Sequence, residues 1–386
     1  MKTKPDDDLH RRMSRRAFLR AAGLAAAGAL AGCRQGAETP ATSEAPAQSV
    51  TSAPATSAVR APASARVAVA HADTYEPKVV YDRVRTMLDG LGGLGDIVKS
   101  GDRVAIKINL TGGTYWERKV QNLPGVDTFI THPEVVRALG QLVRDAGAKQ
   151  LYIVEAAYQW DSFVVWGYED VAEDLDATLI DLNQTWPHND FAITKVPGGG
   201  VIYQDFKFNH LLEEVDVFMS VSKMKCHYTC GVTHTMKNLV GLVPLSFYQL
   251  KKGDGHRSAL HGPDDESAGY RMPRVIVELN KARPVHFGLV DGIKTTEGGE
   301  GPWLNTLAPV EPHVLIAGKD VVATDAVATA AMEFDPAAAS MAKPFIRADN
   351  HLQLAYEAGL GTNRLEDIEV IGEAVNNIHL PFKVAR

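Results

Sequence analysis

The sequence predicts an α/β fold with a mainly parallel sheet flanked by helices and a small antiparallel hairpin insertion. From Arg66 onward, short apolar segments of strand length alternate with segments that have helical periodicity. Arg103–Leu110 and Leu151–Glu155 are strand-like, and the helical segment between them has the crossover length of a parallel pair. Lys195–Tyr203, with three consecutive glycines at its centre, is typical of a hairpin.

The remaining elements continue this alternation along the chain. Pro133 begins the crossover helix, with Thr131 as the expected cap, and Gly147 ends it. The other predicted strands are Arg66–Ala70, Asp216–Ser222, His286–Val290, His313–Ala317 and Ile368–Ile371. The other predicted helices are Lys78–Leu91, Met272–Lys281, Val321–Met332 and Asn350–Glu357.

The first 64 residues predict export and membrane anchoring. Residues 1–32 join the twin arginines Arg15 and Arg16 to an apolar run, which is typical of a twin-arginine signal peptide. Small residues lead into Cys33 as in a bacterial lipobox, so we expect a lipid on Cys33 that anchors the chain on the periplasmic or cell-surface side of a membrane. An ordinary cleaved signal with an incidental cysteine is the alternative. Residues 33–64, rich in Ala, Ser, Thr and Pro, predict a disordered tether, and residues 65–386 a single large α/β domain.

The charge balance argues against a nucleic-acid partner. The chain has 47 Asp and Glu against 40 Lys and Arg, a net charge of −7 at pH 7. Residues 1–32 hold seven basic and three acidic residues, so their removal takes the net charge from −7 to −11. Such a chain lacks the basic surface that nucleic-acid binding requires.

Three cysteines limit the cofactors that this chain can hold by itself. If Cys33 carries a lipid, only Cys226 and Cys230 remain, and a four-cysteine iron–sulfur cluster is not expected. These two thiols either pair as a disulfide or stay free and buried. The cofactor is otherwise unknown, and a divalent metal ion is one option.

Polar residues cluster where four of the predicted strands end. Ligands of α/β sheets bind at the carboxyl ends of strands, and parallel strands bring these ends to one edge. We therefore expect the clusters to converge, provided that none of the four strands runs antiparallel. They are Lys107 with Asn109, Glu155, the segment after Ser222, and Asp291 with Glu297.

The segment 221–244 has the strongest chemical signal. No Asp or Glu occurs from residue 217 to 253, although the chain is acidic overall. Lysine binds carboxylate or phosphate oxygens as a compact charge, and histidine transfers protons or binds metals near neutral pH. We predict a small anionic ligand, with ligand-binding residues Lys107, Asn109, Lys223, Lys237 and Asn238. The predicted catalytic residues are Lys225, His227 and His234.

The acidic residues of the predicted site have two interpretations. Asp291 and Glu297 lie close to glycines and either bind a divalent metal ion through oxygen or hold a lysine in place. Glu155 and Asp325 are predicted to support the site. Asp325 lies in an otherwise Ala- and Val-rich helix, and because a buried carboxylate needs a partner, we expect a site lysine to pair with it.

Several motifs occur in an order that resembles a known family. They are Lys-Ile-Asn-Leu at 107–110, Thr-His-Pro-Glu at 131–134, Ser-Lys-Met-Lys-Cys-His at 222–227, Lys-Asn-Leu-Val-Gly at 237–241 and Val-Asp-Gly-Ile at 290–293. Together they resemble the bacterial and archaeal domain-of-unknown-function family number 362, over nearly all of the predicted domain. The resemblance implies no general activity. Some members look like iron–sulfur proteins with an appended ferredoxin module, which this chain lacks, so that role is not carried over.

Three functions are compatible with these patterns. The leading one is an enzyme that acts on a small anionic or carbonyl-bearing compound through a pocket of lysine, histidine and carboxylate. The second is a non-catalytic, lipid-anchored protein that binds a ligand or cofactor for a partner. The third is a redox accessory protein that uses Cys226 and Cys230. The sequence leaves open whether the protein is an enzyme.

Overall fold

One long mixed sheet organises the protein, as seen in a computed structural model that describes residues 65–248 and 258–386. The predicted signal peptide, Cys33 and the tether lie outside these described residues. The strands are β1 (Ala65–His71), β2 (Arg103–Lys107), β3 (Gln150–Glu155), β4 (Thr178–Asp181), β5 (Ala192–Lys195), β6 (Asp205–Phe208), β7 (Val217–His227), β8 (Gly231–Thr233), β9 (Phe287–Glu297), β10 (Ala308–Val310), β11 (Val314–Gly318) and β12 (Ile368–Gly372).

Helices and short 3-10 turns connect these strands. The α-helices are α1 (Pro77–Gly90), α2 (Pro133–Asp145), α3 (Asp161–Val165), α4 (Tyr168–Asp174), α5 (Leu211–Glu214), α6 (Leu245–Tyr248), α7 (Asp265–Ala282), α8 (Val321–Ala331), α9 (His351–Glu357) and α10 (Val375–Ile378). The 3-10 helices are Thr114–Trp116, Gly125–Asp127, Lys237–Leu242 and Leu365–Asp367.

The sheet is parallel with one reversed strand along its main path. Its order is β12-β1-β11-β9-β7-β2-β3-β4, with β8 paired to β7 and β10 paired to β9. Within the described residues, β11 runs antiparallel to both of its neighbours, while the other adjacent strands of this path are parallel. A separate antiparallel pair, β5 and β6, forms the predicted hairpin insertion. The predicted fold class is therefore confirmed.

Two apolar layers cover the two faces of the sheet. Alternate residues of a strand point to opposite faces, so Val67 and Ala68 of β1 belong to different layers. Helices α1 and α2 lie on one face, and α7, α8 and α9 on the other. Helix α2 buries Val135, Val136, Leu139 and Val143, whose spacing forms the apolar stripe of a helix packed on a core.

The amino terminus of α2 differs from the prediction by one residue. Pro133 is its first residue as expected, but the cap is His132, whose Nδ1 accepts a hydrogen bond from the Glu134 backbone N–H. Thr131 is buried instead, and its Oγ1 accepts from the Asn109 backbone N–H and donates to the Val221 carbonyl. This threonine thereby fastens the turn before α2 to the strand ends.

Strands β7 and β9 extend well beyond their predicted ends. The pairing of β7 with β9 continues past the carboxyl ends of the neighbouring strands. Lys223 lies opposite Asp291 and, after a shift in register, Lys225 lies opposite Thr296. The short strands β8 and β10 then pair with these extensions. Most of the predicted lysine- and histidine-rich loop is consequently strand, because the extensions satisfy one another's backbone hydrogen bonds. Lys223, Lys225 and His227 therefore have fixed backbones.

Candidate functional site

The four polar clusters converge at one edge of the sheet. They end the strands β9, β7, β2 and β3, which are adjacent and mutually parallel. The reversed strand β11 carries none of these clusters. The extensions of β7 and β9 stand above this edge and carry Lys223, Lys225 and Asp291.

Lys223 and Asp291 form a fully buried ion pair. Lys223 Nζ lies 2.9 Å from Asp291 Oδ2, and it also donates to the Tyr75 hydroxyl and the Val126 carbonyl. Asp291 accepts further hydrogen bonds from the Tyr75 hydroxyl and from the His132 backbone N–H. Burial lowers the pKa of Lys223, and the charge of Asp291 opposes this shift. This arrangement satisfies both charges, which is typical of a structural ion pair.

Tyr75 is a member of this group that the sequence analysis missed. Its ring stacks on the His132 ring with centroids 3.6 Å apart. Burial, and then the charge of Asp291, raise the pKa of Tyr75 well above its ordinary value, so the hydroxyl stays protonated. The residue lies in the turn between β1 and α1, far from the other members along the chain, and no local motif marked it.

Lys107 and Glu155 form a second buried pair. Lys107 Nζ lies 2.8 Å from Glu155 Oε1 and donates to the Ile108 carbonyl and to Asn238 Oδ1. Burial lowers the pKa of Lys107 and raises that of Glu155, while their mutual attraction opposes both shifts. Gly241 packs directly on the pair, since a Cβ there would stand 2.2 Å from Glu155 Oε1. Only glycine leaves room for the two side chains.

Lys225 has a different environment from these two lysines. Its Nζ donates to Asn109 Oδ1 and to the Phe129 carbonyl, both at 2.8 Å. The side chain is buried, with 1% of the residue exposed, and within the described residues no carboxylate forms an ion pair with it. Burial, followed by the charge of Lys237, lowers the pKa of Lys225 to about 7; Glu300 acts in the opposite direction. A sizeable fraction of Lys225 is therefore a neutral amine at neutral pH.

Lys237 lies at the centre of the positive groups of the site. Its charge lowers the pKa of Lys107, Lys225 and His227, and also that of His351. Lys237 is itself buried, with 8% exposed, and forms no ion pair with any carboxylate of residues 65–248 and 258–386. It is thus a cation without a fixed counterion.

His227 is held in one tautomer. Its Nδ1 accepts hydrogen bonds from the backbone N–H groups of Thr229 and Cys230. Burial and then the charge of Lys237 lower the pKa of His227 well below its ordinary value, so the ring is neutral. Because Nδ1 is the acceptor, Nε2 carries the ring proton. The ring can therefore donate a hydrogen bond from Nε2.

Two other histidines are completely buried nearby. Burial lowers the pKa of both His234 and His351 to about 3, with His351 adding to the shift at His234 and Lys237 to that at His351. Their ring nitrogens make no well-formed hydrogen bond within the described part of the chain. No sequence pattern indicated His351, because it begins α9 more than a hundred residues after His234 and lies in none of the motifs.

The proposed supporting and metal-binding carboxylates have other partners. The expectation that a site lysine pairs with Asp325 is wrong: its carboxylate accepts from the Thr235 backbone N–H and hydroxyl and from the Met236 backbone N–H. Asp325 thereby fixes the turn that follows β8. Glu297 contacts Lys383 Nζ at 2.6 Å rather than a site lysine. Among the described residues, no group of three or more His, Cys, Asp or Glu has an arrangement that could hold a metal ion.

Cys226 and Cys230 are both free and buried. Burial raises the pKa of each thiol to about 12. Since the thiolate is the nucleophilic form of cysteine, both thiols are chemically quiet at neutral pH. This state disfavours the redox function.

The segment between β2 and α2 covers part of the site, since its Val126 and Phe129 carbonyls accept from Lys223 and Lys225. The Trp116 and Trp303 rings meet at 5.9 Å beside Gly112, which follows β2. Cavities of about 390 and 330 Å³ lie elsewhere, the first beside Phe382 and Lys383 and the second beside Met236 and Asn280. In the described ranges, no helix has the length and apolar character needed to span a membrane.

Comparison with known proteins gives one family and several distant structures. The model of the family described as Domain of unknown function (DUF362) matches residues 104–330, which confirms the resemblance. A thylakoid-associated protein of Synechocystis sp. is 33% identical over 276 residues, 70% of this chain and 75% of that protein.

Solved structures are more distant. The lactate racemase apoprotein from Thermoanaerobacterium thermosaccharolyticum has a TM-score of 0.35 and 14% identity, covering 65% of this chain and 54% of that chain. A structural-genomics protein from Thermotoga maritima has a TM-score of 0.32 and 12% identity, covering 62% and 55%. The chain therefore spans about half the length of the solved structures it matches.

Proposed function

We propose that this chain, which belongs to the family described as Domain of unknown function (DUF362), is an enzyme that binds a small organic anion and transfers a proton on it. One observation carries the proposal. Lys237 is a positively charged side chain that no carboxylate of the described residues pairs with, and Lys225 has no carboxylate partner there either, although Lys223 and Lys107 beside them are paired. A buried charge without a partner is costly, and an anionic ligand removes that cost.

The neighbouring groups suit proton transfer. Lys237, as a compact charge, attracts the anionic group of the ligand. Lys225 has a pKa of about 7, which is the range in which a group both accepts and releases protons at neutral pH. His227 carries a proton on Nε2, and this N–H group donates a hydrogen bond to a ligand oxygen. None of these three side chains is held in an ion pair with a carboxylate of the described residues.

Anion binding is tested by titration calorimetry with oxalate, acetate and phosphate. We expect at least one of them to saturate the wild-type protein. Lys237→Met should weaken that binding by about thirtyfold or more, since removing one partner of a buried charge contact costs about 2 kcal/mol or more. Lys195→Met, which removes an exposed lysine on β5, is the matched control and should bind like the wild type. The absence of binding by all three anions would contradict the proposal.

Proton transfer is tested separately, because a non-catalytic receptor would also bind anions. Short carboxylates with a C–H bond next to a carbonyl are incubated with the protein in D₂O, and deuterium uptake is followed by NMR. An enzyme accelerates the exchange, and His227→Gln slows it while leaving most of the anion affinity. Binding without accelerated exchange of any tested compound favours the receptor.

We also propose that the protein is exported by the twin-arginine pathway and held at a membrane by a lipid on Cys33. The sequence of residues 1–33 supports this proposal. In the native host, Cys33→Ser should move the protein from the membrane fraction to the soluble fraction. Replacement of Arg15 and Arg16 by lysine should stop export altogether. Membrane association that persists in Cys33→Ser would refute the anchor.

A further inference from the structure

Three buried lysines of the site differ in the acceptors that surround their amino groups. Lys223 Nζ contacts three oxygens, of which one belongs to Asp291. Lys107 Nζ also contacts three, of which one belongs to Glu155. Lys225 Nζ contacts two, and both are uncharged amide oxygens. The first two sites thus match an ammonium group in number and charge of acceptors, and the third does not.

The number of acceptors bears on the protonation state. An ammonium group has three N–H donors and no lone pair, whereas a neutral amine has two N–H donors and one lone pair. Asn109 Oδ1 and the Phe129 carbonyl satisfy two N–H groups, and a third would remain buried without a partner. The amine form satisfies both of its N–H groups with these two acceptors. Its lone pair is used by neither of them.

We propose that Lys225 forms an imine with a small aldehyde or ketone that carries a carboxylate or similar anionic group. This proposal rests on the proposed function, because Lys237 serves as the partner of the anionic group in both. A lysine becomes nucleophilic when it is desolvated or lies next to another cation. Lys225 meets both conditions, with 1% of its surface exposed and the Lys237 charge nearby.

The reaction balances with groups that are present. The Lys225 lone pair attacks the carbonyl carbon, a C–N bond forms, and the carbonyl oxygen becomes a hydroxyl group by taking up a proton. Loss of that hydroxyl as water takes up a second proton and leaves a C=N bond. The nitrogen releases its two hydrogens as protons, which balance the two protons taken up by the oxygen. His227, whose Nε2 carries a proton, donates a hydrogen bond to the departing oxygen. No oxidant or reductant is required.

The three groups of the proposed reaction differ in exposure. Lys237 and His227 each keep 8% exposure, whereas Lys225 keeps 1%. Asn109, which holds Lys225, is only half-buried.

Reductive trapping with glyoxylate tests the proposal. Full-length protein is incubated with glyoxylate and cyanoborohydride, which reduces an imine to a stable secondary amine, and the modified lysines are located by peptide mass spectrometry. Lys223 and Lys107 are equally buried internal controls in the same molecule. We expect at least about tenfold more carboxymethyl label on Lys225 than on either, since each control has a carboxylate partner that favours its ammonium form, and an opposite charge at this distance changes the amount of free amine by about tenfold or more. Lys225→Met should remove this label, and Lys237→Met should reduce it.

Oxalate binding, measured on the same preparation, separates the two proposals. Label on Lys225 that oxalate suppresses supports the imine. Label confined to exposed lysines, with oxalate still bound through Lys237, overturns the imine and leaves the proposed function standing. The absence of both label and anion binding overturns both. Comparison of peptides within one protein keeps the result valid even where Lys225→Met fails to fold.

Discussion

Asn109 Oδ1 accepts a hydrogen bond from Lys225 Nζ at 2.8 Å, and this amide takes the role that a carboxylate has for the neighbouring lysines. At Lys223 that role belongs to Asp291, and at Lys107 to Glu155. An amide accepts the bond without adding a negative charge. Lys225 is therefore held in position by a hydrogen bond, but no adjacent negative charge stabilises its ammonium form. In this respect it differs from Lys223 and Lys107 in the same site.

Asn109→Asp should convert Lys225 into a third ion-paired lysine. The substitution retains the shape of the side chain and adds a charge at hydrogen-bonding distance from Nζ. Since an adjacent opposite charge shifts a pKa by about one to three units, the free amine at pH 7 should fall about tenfold or more. We expect a corresponding loss of glyoxylate trapping, measured by peptide mass spectrometry, with thermal unfolding as the control for folding. Unchanged trapping would show that the charge state of Lys225 does not limit the reaction.

Glyoxylate trapping at Lys225 should rise with pH and reach half of its maximum near pH 7. The pKa of Lys225 lies at about 7, and only the amine above this value has a lone pair. Lys237 and Lys223 lower this pKa, while Glu300 and Glu155 raise it. Lys237→Met should therefore move the midpoint to higher pH. Initial labelling rates between pH 5 and 9 measure the profile, and an identical midpoint in both proteins would argue against coupling between the two lysines.

Lys223→Met should strongly destabilise the fold. It leaves the Asp291 carboxylate buried without its cation, which costs about 3–5 kcal/mol in comparable pairs. The double variant Lys223→Met/Asp291→Asn removes the orphaned charge and should recover part of this loss. Urea unfolding of the wild type, both single variants and the double variant gives the coupling energy. Simply additive effects would mean that the pair contributes little as a pair.

Asp325→Asn should change the pH dependence of stability. Burial raises the pKa of Asp325 from 3.8 to about 7. Between these values the folded protein binds a proton that the unfolded chain has released, so the contribution of this group to stability falls as pH rises from about 4 to 7. The variant should lose this slope, which is at most about 1.4 kcal/mol per pH unit. Urea unfolding at several pH values measures it, and an unchanged slope would assign the proton to another group.

The sequence predicted most strands of the sheet, but it did not predict how far β7 and β9 extend at their carboxyl ends. Periodicity placed most of the buried strands correctly, because local apolar runs follow directly from burial. It missed β4 (Thr178–Asp181), and the segment predicted as the hairpin, Lys195–Tyr203, contains mainly the connection between β5 and β6. It ended β7 at Ser222, although the strand continues to His227. Lysines and histidines are rare in buried strands, so a local reading assigns them to a loop. The partner that makes them strand residues, β9, lies about 70 positions away.

The predicted site differs from the observed one for the same reason: local sequence patterns do not reveal contacts between residues far apart in the chain. Motif positions identified Lys107, Lys223, Lys225 and Asp291 as members of one polar edge. They did not reveal which carboxylate pairs with which lysine, and Asp325 was assigned a lysine that it does not contact. Tyr75 and His351 were missed, because a tyrosine in a turn and a histidine at a helix start carry no local sign of a shared site.

The sequence by itself determined the α/β class, the composition of the polar edge and the surplus of lysine over carboxylate between residues 217 and 253. These properties depend on residue type and local spacing. Only the tertiary structure decided that Asp291 and Glu155 neutralise Lys223 and Lys107, while Lys225 contacts the Asn109 amide and pairs with no carboxylate of residues 65–248 and 258–386. Electrostatic interaction depends on distances of a few ångströms between residues far apart in the chain, and those distances are set by the packing of whole strands.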